Sequence, residues 1–138
     1  MSDPLGLDVL DRDECLALLA TTDLGRLVYT SQAMPAVQPV RFVLRGGSVL
    51  CRVPAGTALF AGVFDSVVAF TVDSFAPGSA SGWFVTVVGR ASYVRDEDLA
   101  VESSPRWWVP TASERAIRIP IESISGRRIP VTHRCVFQ

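Results

Sequence analysis

The sequence contains no lysine, one histidine and three cysteines. Thirteen basic residues, all of them arginine, face fourteen acidic residues, so the formal net charge is −1. A protein dedicated to nucleic acid gains most of its affinity from a basic surface, and this balance argues against that class. The cysteines, Cys15, Cys51 and Cys135, are odd in number and far apart, which fits neither a disulfide scaffold nor a metal site. We therefore expect no metal, no nucleic acid and a reducing compartment, the cytoplasm.

A long apolar run is also missing. The longest stretch without a charged residue, between Asp73 and Arg90, is interrupted by Pro77, Gly78 and Gly82. A membrane helix needs about twenty consecutive apolar residues to cross the hydrocarbon layer. The N-terminus is acidic, whereas a secretory leader begins with basic residues. We expect neither a membrane span nor secretion.

The remaining composition is that of one globular domain. The chain has 138 residues, of which 49% are hydrophobic and 20% charged. Disordered chains combine lower hydrophobicity with higher net charge, and two complete cores require a longer chain. We predict a single domain over residues 1–138, with a flexible N-terminal segment at 1–8 and a C-terminal tail at 130–138.

β-structure dominates the pattern along the chain. Segments rich in β-branched and aromatic side chains, bounded by turn residues, predict six strands. These strands cover residues 27–30, 37–44, 49–53, 67–72, 83–94 and 115–124. In the fifth of them, alternation predicts one shared face for Trp83, Val85, Val87, Ala91 and Tyr93. Adjacent Gly46 and Gly47 mark a tight turn between the second and the third strand. Because closure removes exposed strand edges, six strands at this length favour a small barrel.

Capping residues predict two or three short helices. Asp11 and Glu14 form a capping-box pattern, and this first helix is expected to end near Thr21 or Thr22. Thr57 is placed to begin a second, brief helix after the third strand. Residues 96–99 predict a third helical stretch.

Five segments in a fixed order carry a family resemblance: Leu24-Gly25-Arg26-Leu27, Pro39-Val40-Arg41-Phe42, Leu50-Cys51-Arg52 before Ala55-Gly56-Thr57, residues 67–73, and residues 81–91. Their order resembles the flavin- and deazaflavin-binding split-barrel proteins of the pyridoxamine 5′-phosphate oxidase-like superfamily, particularly its short actinobacterial members. The similarity extends over residues 9–129. It implies a mainly β, six-stranded split barrel with Greek-key character that forms a homodimer. It also implies a cofactor at each subunit interface, FMN or alternatively the deazaflavin F420.

The resemblance assigns the cofactor phosphate to the end of the third strand and the turn that follows it. Arg52 and Thr57 map to that role, with Ala55 and Gly56 between them. A guanidinium can bind phosphate oxygens bidentately, which agrees with this assignment. The alternative is an ordinary surface arginine beside a capping threonine.

The resemblance places Pro39, Val40 and Arg41 along the cofactor ring, where Arg41 would balance negative charge. The alternative is a strand with Val40 in the core and Arg41 in solvent. Trp83 maps close to the cofactor site of the partner subunit, where its ring would cover the cofactor or the substrate; its alternative role is to fill the core or the interface. The tryptophans at 107–108 are expected to cover the cofactor or to dock on the partner.

Together these features imply an FMN- or F420-dependent oxidoreductase that transfers hydride or electrons to a small molecule. The cofactor would carry the chemistry, which agrees with the absence of a recognisable catalytic triad or carboxylate pair, and no catalytic residue is assigned. The alternative is a non-catalytic split-barrel protein that binds a flavin, a haem-derived ligand or another small anion. Ala58 and Leu59 motivate this alternative, because members of the family commonly carry a phosphate-binding lysine one or two residues after the equivalent of Thr57.

Overall fold

The computed structural model describes residues 4–76, 81–95, 108 and 111–129. Within these ranges the chain forms a β-sheet of nine strands and two short helices. The strands are β1 (Asp8–Val9), β2 (Leu24–Ser31), β3 (Met34–Arg45), β4 (Ser48–Pro54), β5 (Val67–Phe75), β6 (Gly82–Arg90), β7 (Ser92–Val94), β8 (Glu114–Pro120) and β9 (Ser123–Ile129). The helices are α1 (Arg12–Leu19) and α2 (Ala58–Val63). Neither helix in this part of the chain is long and apolar enough to cross a membrane.

The strand order confirms the mainly β architecture and its Greek-key character. All pairs are antiparallel, in the order β1-β9-β6-β5-β2-β3-β4-β8-β7. Strands β2, β3 and β4 follow one another, and β5 returns through α2 to lie beside β2. This spatial order of three consecutive strands and a returning fourth defines a Greek key.

The sheet curls on itself because two pairs of consecutive strands lie at opposite ends of the strand order. Only Ala91 separates β6, which pairs with β5 and β9, from β7, which pairs with β8. Ile121 and Glu122 likewise connect β8 to β9, and their backbone N–H groups donate to Gly47 O and Val88 O at 3.1 and 3.2 Å. The strands predicted over 83–94 and 115–124 are therefore each divided in two, since each crosses from one half of the barrel to the other.

The division at Ala91 also changes which side chains point inward. Val85, Val87 and Ala91 are buried in the main core, as their alternation predicts. Tyr93 was expected on the same face but is 41% exposed, whereas Val94 is buried in a second, smaller cluster. Alternation holds only within an unbroken strand, so the inward face predicted across the division fails at Tyr93.

The caps form as the sequence predicts. Glu14 N donates to Asp11 Oδ1 at 2.8 Å, and this bond holds the pKa of the Asp11 carboxyl below its usual value. Helix α1 ends at Leu19, slightly earlier than expected, and buries Cys15 and Leu19. Thr57 caps α2 by accepting from Phe60 N at 3.2 Å. The helical stretch predicted at 96–99 lies outside the described residues.

Part of the N-terminal segment expected to be flexible lies against the barrel. Asp8 and Val9 pair with Arg128 and Arg127 of β9, and Leu7 is buried beside them. The C-terminal tail at 130–138 falls outside the described ranges.

Gly89 provides a test of barrel closure. A Cβ atom at this position would overlap the carbonyl oxygen of Pro120, where β6 passes the end of β8. We expect Gly89→Ala to lower the free energy of unfolding by about 1–3 kcal/mol, because backbone atoms have no room to move aside. Urea denaturation followed by tryptophan fluorescence measures the change.

The matched control is Gly47→Ala, at a glycine with a φ of +75° and no atom within 4 Å of the added Cβ. This variant is destabilised only by its backbone conformation, by about 1 kcal/mol. A Gly89→Ala protein as stable as the wild type would contradict the close approach of β6 and β8.

Candidate functional site

A groove opens where β3 leaves β4. Strand β3 pairs with β2 from Met34 to Arg41 and with β4 from Phe42 to Arg45, so it changes partner between Arg41 and Phe42. Before that point the end of β4 and the start of α2 stand away from β3. The groove between them has a volume of about 370 Å³. It is lined by Gln38, Pro39, Val40, Arg52, Pro54, Thr57 and Leu59.

Proline keeps the two strands from pairing again beyond this point. Phe42 N donates to Asp23 O at 2.9 Å, toward β2, and backbone groups alternate in direction along a strand. The backbone of Pro39 therefore faces the β4 side, where it has no N–H to continue the ladder. The Gln38 side-chain amide donates to the Pro39 carbonyl at 3.2 Å and satisfies that acceptor locally.

Arg52 is the only charged residue among the described residues that line the groove. Its neighbours Cys51 and Val53 belong to the main core, so Arg52 projects from the opposite face of β4. The side chain is only 5% exposed, and its Nε lies 3.6 Å from Glu114 Oε1. Its guanidinium carbon lies 5.5 Å from the centre of the Trp108 ring. A buried guanidinium needs such partners, because removing it from water is costly.

Thr57 stabilises the turn that forms one wall. Its hydroxyl donates to Pro54 O at 2.8 Å and accepts from Phe60 N, so its proton is already engaged within the turn. Gly56 in this turn has a φ of +72°, and Ala55 N donates to Ser113 O at 2.9 Å. Thr57 thus positions the turn beside Arg52, and its hydroxyl has no second proton to donate to a ligand.

The two residues after Thr57 face different clefts. Leu59 lines the groove and packs partly on the main core. Ala58 lines a separate cleft beside Thr30 and Ser31. Of the two positions where the family resemblance implies a lysine, the one that faces the groove therefore carries an apolar side chain.

Arg41 and Trp83 lie outside the groove. Arg41 is 56% exposed and pairs with Asp23 at 3.1 Å, while Val40 is buried in the main core. This is the arrangement of the alternative interpretation for the strand. Trp83 is half-buried against the main core, between Ser74 and Arg128 as cross-strand neighbours. Contacts of these two residues with a cofactor remain predictions.

Sequence reasoning therefore selected Pro39, Val40, Arg52 and Thr57, which the fold brings to one groove, and Ala55 and Gly56, which lie in its turn. It missed Gln38, Pro54 and Glu114. Pro54 ends a strand before a turn, which is a usable signal. Glu114 is sixty positions away from Pro54, its partner in the β4–β8 register, and no sequence signal relates the two.

Other reactive groups lie away from the groove. Complete burial raises the pKa of Cys51 to about 12, so this thiol stays protonated near neutral pH and is a poor nucleophile. Among the residues that the structure describes, no three His, Cys, Asp or Glu side chains form a cluster suited to a metal ion. His133 and Trp107 lie outside those residues.

Comparison with known proteins gives consistent relatives. A family model described as pyridoxamine 5′-phosphate oxidase matches residues 11–128. The uncharacterized protein Rv0080 of Mycobacterium tuberculosis is 34% identical over 132 residues, which cover 91% of this chain and 87% of that protein. The structure of the FAD binding protein from Mycobacterium smegmatis superposes with a TM-score of 0.73 at 32% identity, covering 88% of this chain and 96% of the other. A conserved protein of unknown function from Corynebacterium diphtheriae gives a TM-score of 0.69 at 30% identity, covering 93% and 100%.

Proposed function

This chain belongs to the pyridoxamine 5′-phosphate oxidase family, and we propose that it is a cytoplasmic oxidoreductase that binds FMN in the groove at the split of its barrel. The observation that carries the proposal is the buried guanidinium of Arg52 beside a groove with mostly apolar walls. The Mycobacterium smegmatis relative is described as FAD binding, which supports a flavin ligand.

The residues of the groove fit a flavin. Small-molecule sites of about 300–1,000 Å³ are mostly apolar and carry a few well-placed polar groups. Here Val40, Leu59 and the two prolines form the apolar walls, while the Gln38 amide and Arg52 are the polar groups. Arg52 would hold the phosphate, since guanidinium and phosphate form charge-assisted hydrogen bonds.

A bound flavin supplies hydride and electron transfer, and the protein supplies orientation and electrostatics. In this chain the edge of β3 would orient the ring, and Leu59 and Val40 would exclude water from it. The turn at Thr57 fixes the distance between Arg52 and the start of α2. The substrate is a small molecule, and no residue is assigned to proton transfer.

A second candidate function follows from Leu59 and Glu114. The groove carries an apolar residue in place of a cation, and its arginine is already paired with a carboxylate. Both features weaken phosphate binding, which favours a non-catalytic protein that binds a flavin, a haem-derived ligand or another small anion.

The spectrum of the purified protein separates the two functions. We expect a yellow protein that releases FMN on denaturation and is bleached by a reduced nicotinamide cofactor. Titration of the apoprotein with FMN, FAD and F420 identifies the preferred ligand. A protein that binds FMN without being reduced would support the binding function, and one that takes up none of the three would contradict a flavin site.

Arg52→Ala tests the phosphate contact. We expect FMN affinity to fall at least tenfold, which corresponds to about 1.4 kcal/mol. The control is Arg90→Ala, at an exposed arginine that pairs with Asp65 away from the groove. Unchanged affinity in Arg52→Ala, measured by flavin fluorescence quenching, would remove Arg52 from the site.

Arg41→Ala decides between the two interpretations of the β3 strand. Reduced FMN affinity is the expected result if Arg41 lies along the cofactor ring, as the family resemblance implies. Affinity equal to that of the wild type would identify the Arg41–Asp23 pair as a surface ion pair only.

We also propose that the protein is a homodimer. The outer face of the barrel carries a cross-strand row of apolar residues, Val37, Val28, Ala69 and Val88, in which Val37 is 58% exposed. Large exposed apolar patches mark interaction surfaces. Pro39 lines both the groove and a smaller cleft on this face, so a second subunit docked there would lie close to the groove.

Light scattering at micromolar concentration tests the assembly. We expect twice the mass of one chain for the wild type and a monomer for Val37→Glu, because a buried carboxylate without a partner is unfavourable. The control is Leu5→Glu, at a residue that is 73% exposed near the N-terminus. A monomeric wild-type protein would contradict the proposal.

The free thiols support the cytoplasmic assignment. Cys15 and Cys51, the cysteines within the described ranges, are both buried and unbridged. Free thiols are typical of a reducing compartment.

A further inference from the structure

Arg52 has an internal anion beside the groove. Glu114 Oε1 lies 3.6 Å from Arg52 Nε, and the Glu114 side chain is 38% exposed while that of Arg52 is 5% exposed. We propose that Glu114 is an internal counterion that opposes the ligand phosphate at Arg52 and thereby sets how much the phosphate contributes to affinity. This inference rests on the proposed flavin function, because it concerns the phosphate end of the same ligand.

The carboxylate is held in place by the fold. Glu114 is the first residue of β8 and lies opposite Pro54, the last residue of β4, in the strand register. Thr111 Oγ1 donates to Glu114 Oε1 at 3.3 Å. The carboxylate is therefore fixed near Arg52 by a strand pair and a hydroxyl, in contrast to a side chain that moves freely in solvent.

The local charges give the sign of the effect. Arg52 is the one charged side chain among the described groove residues, and Glu114 offsets it, so the pair has a net charge of zero. A phosphate monoester carries a charge of about −1.5 to −2 at neutral pH. Its attraction to the guanidinium is therefore opposed by repulsion from the carboxylate. Burial of Arg52 strengthens both interactions, because the effective dielectric constant is lower there.

Because Leu59 is apolar, the Arg52–Glu114 pair alone sets the charge that the described groove residues present to a ligand. A second cation at the groove would keep the site positive even with Glu114 present, but Leu59 supplies none. A neutral ligand, in contrast, is only weakly attracted by the guanidinium and only weakly repelled by the carboxylate. Glu114 thus sets how strongly the groove distinguishes a phosphorylated ring from the same ring without phosphate.

Glu114→Gln removes the negative charge and keeps the size and shape of the side chain. The readout is the ratio of the dissociation constant of riboflavin to that of FMN, which isolates the contribution of the phosphate. We expect this ratio to rise at least threefold in Glu114→Gln and to fall close to one in Arg52→Ala. Riboflavin affinity itself should stay within twofold of the wild type.

The matched control is Glu122→Gln, which changes the net charge by the same amount. Glu122 also accepts one hydrogen bond, from Arg90 N at 3.4 Å, and does not line the groove. The ratio of the riboflavin to the FMN dissociation constant in Glu122→Gln should equal that of the wild type. An unchanged or lower ratio in Glu114→Gln would overturn the proposal and would make Glu114 a residue that only positions Arg52.

Two further measurements keep the proposal testable if Glu114→Gln does not fold or if the wild type binds no flavin. If Glu114→Gln does not fold, Glu114→Ala removes the same charge and is expected to raise the ratio as well. If the wild type binds neither riboflavin nor FMN, the proposed function fails, and inorganic phosphate tests the counterion alone. Phosphate should then raise the melting temperature of Glu114→Gln more than that of the wild type or Glu122→Gln, and equal shifts would overturn the proposal.

Discussion

A guanidinium group almost fully withdrawn from water requires compensating neighbours, and much of the arrangement around the groove serves the guanidinium of Arg52. Strand β4 turns this side chain away from the main core, Glu114 provides a negative charge, and Trp108 provides an aromatic face. Arg52 lies on β4, whereas both neighbours, at positions 108 and 114, come from much later in the sequence. The site therefore exists only when β4 and β8 are paired and residue 108 is packed on their outer face.

Backbone geometry explains both where the barrel closes and where it stays split. At Gly89 the strands pass so closely that no side chain fits, and the ladder continues across the division of β6 and β7. At Pro39 the missing N–H keeps β3 from pairing with β4 again, and Gln38 satisfies the remaining carbonyl. The strands lie in close contact at Gly89, whereas near Pro39 they separate and leave the groove.

Local sequence features were reliable where the physical cause was also local. The cap at Asp11, the cap at Thr57 and the turn at Gly46 and Gly47 all form as expected, because each depends on a few neighbouring residues. The strands at 83–94 and 115–124 were predicted as continuous, and the second prediction stopped at 124 although β9 runs to Ile129. Their divisions arise where each strand passes between two halves of the barrel, which alternation along the chain does not reveal.

The sequence by itself indicated most of the strands, the turns, the helix caps and the family resemblance that directs attention to Pro39, Val40, Arg52 and Thr57. Only the tertiary structure decided that these four residues share one groove, while Arg41 and Trp83 lie outside it. It also decided that a carboxylate from β8 stands beside the arginine from β4. The physical reason is that propensity and capping act over a few residues, whereas the electrostatic surroundings of a buried charge depend on long-range strand pairing.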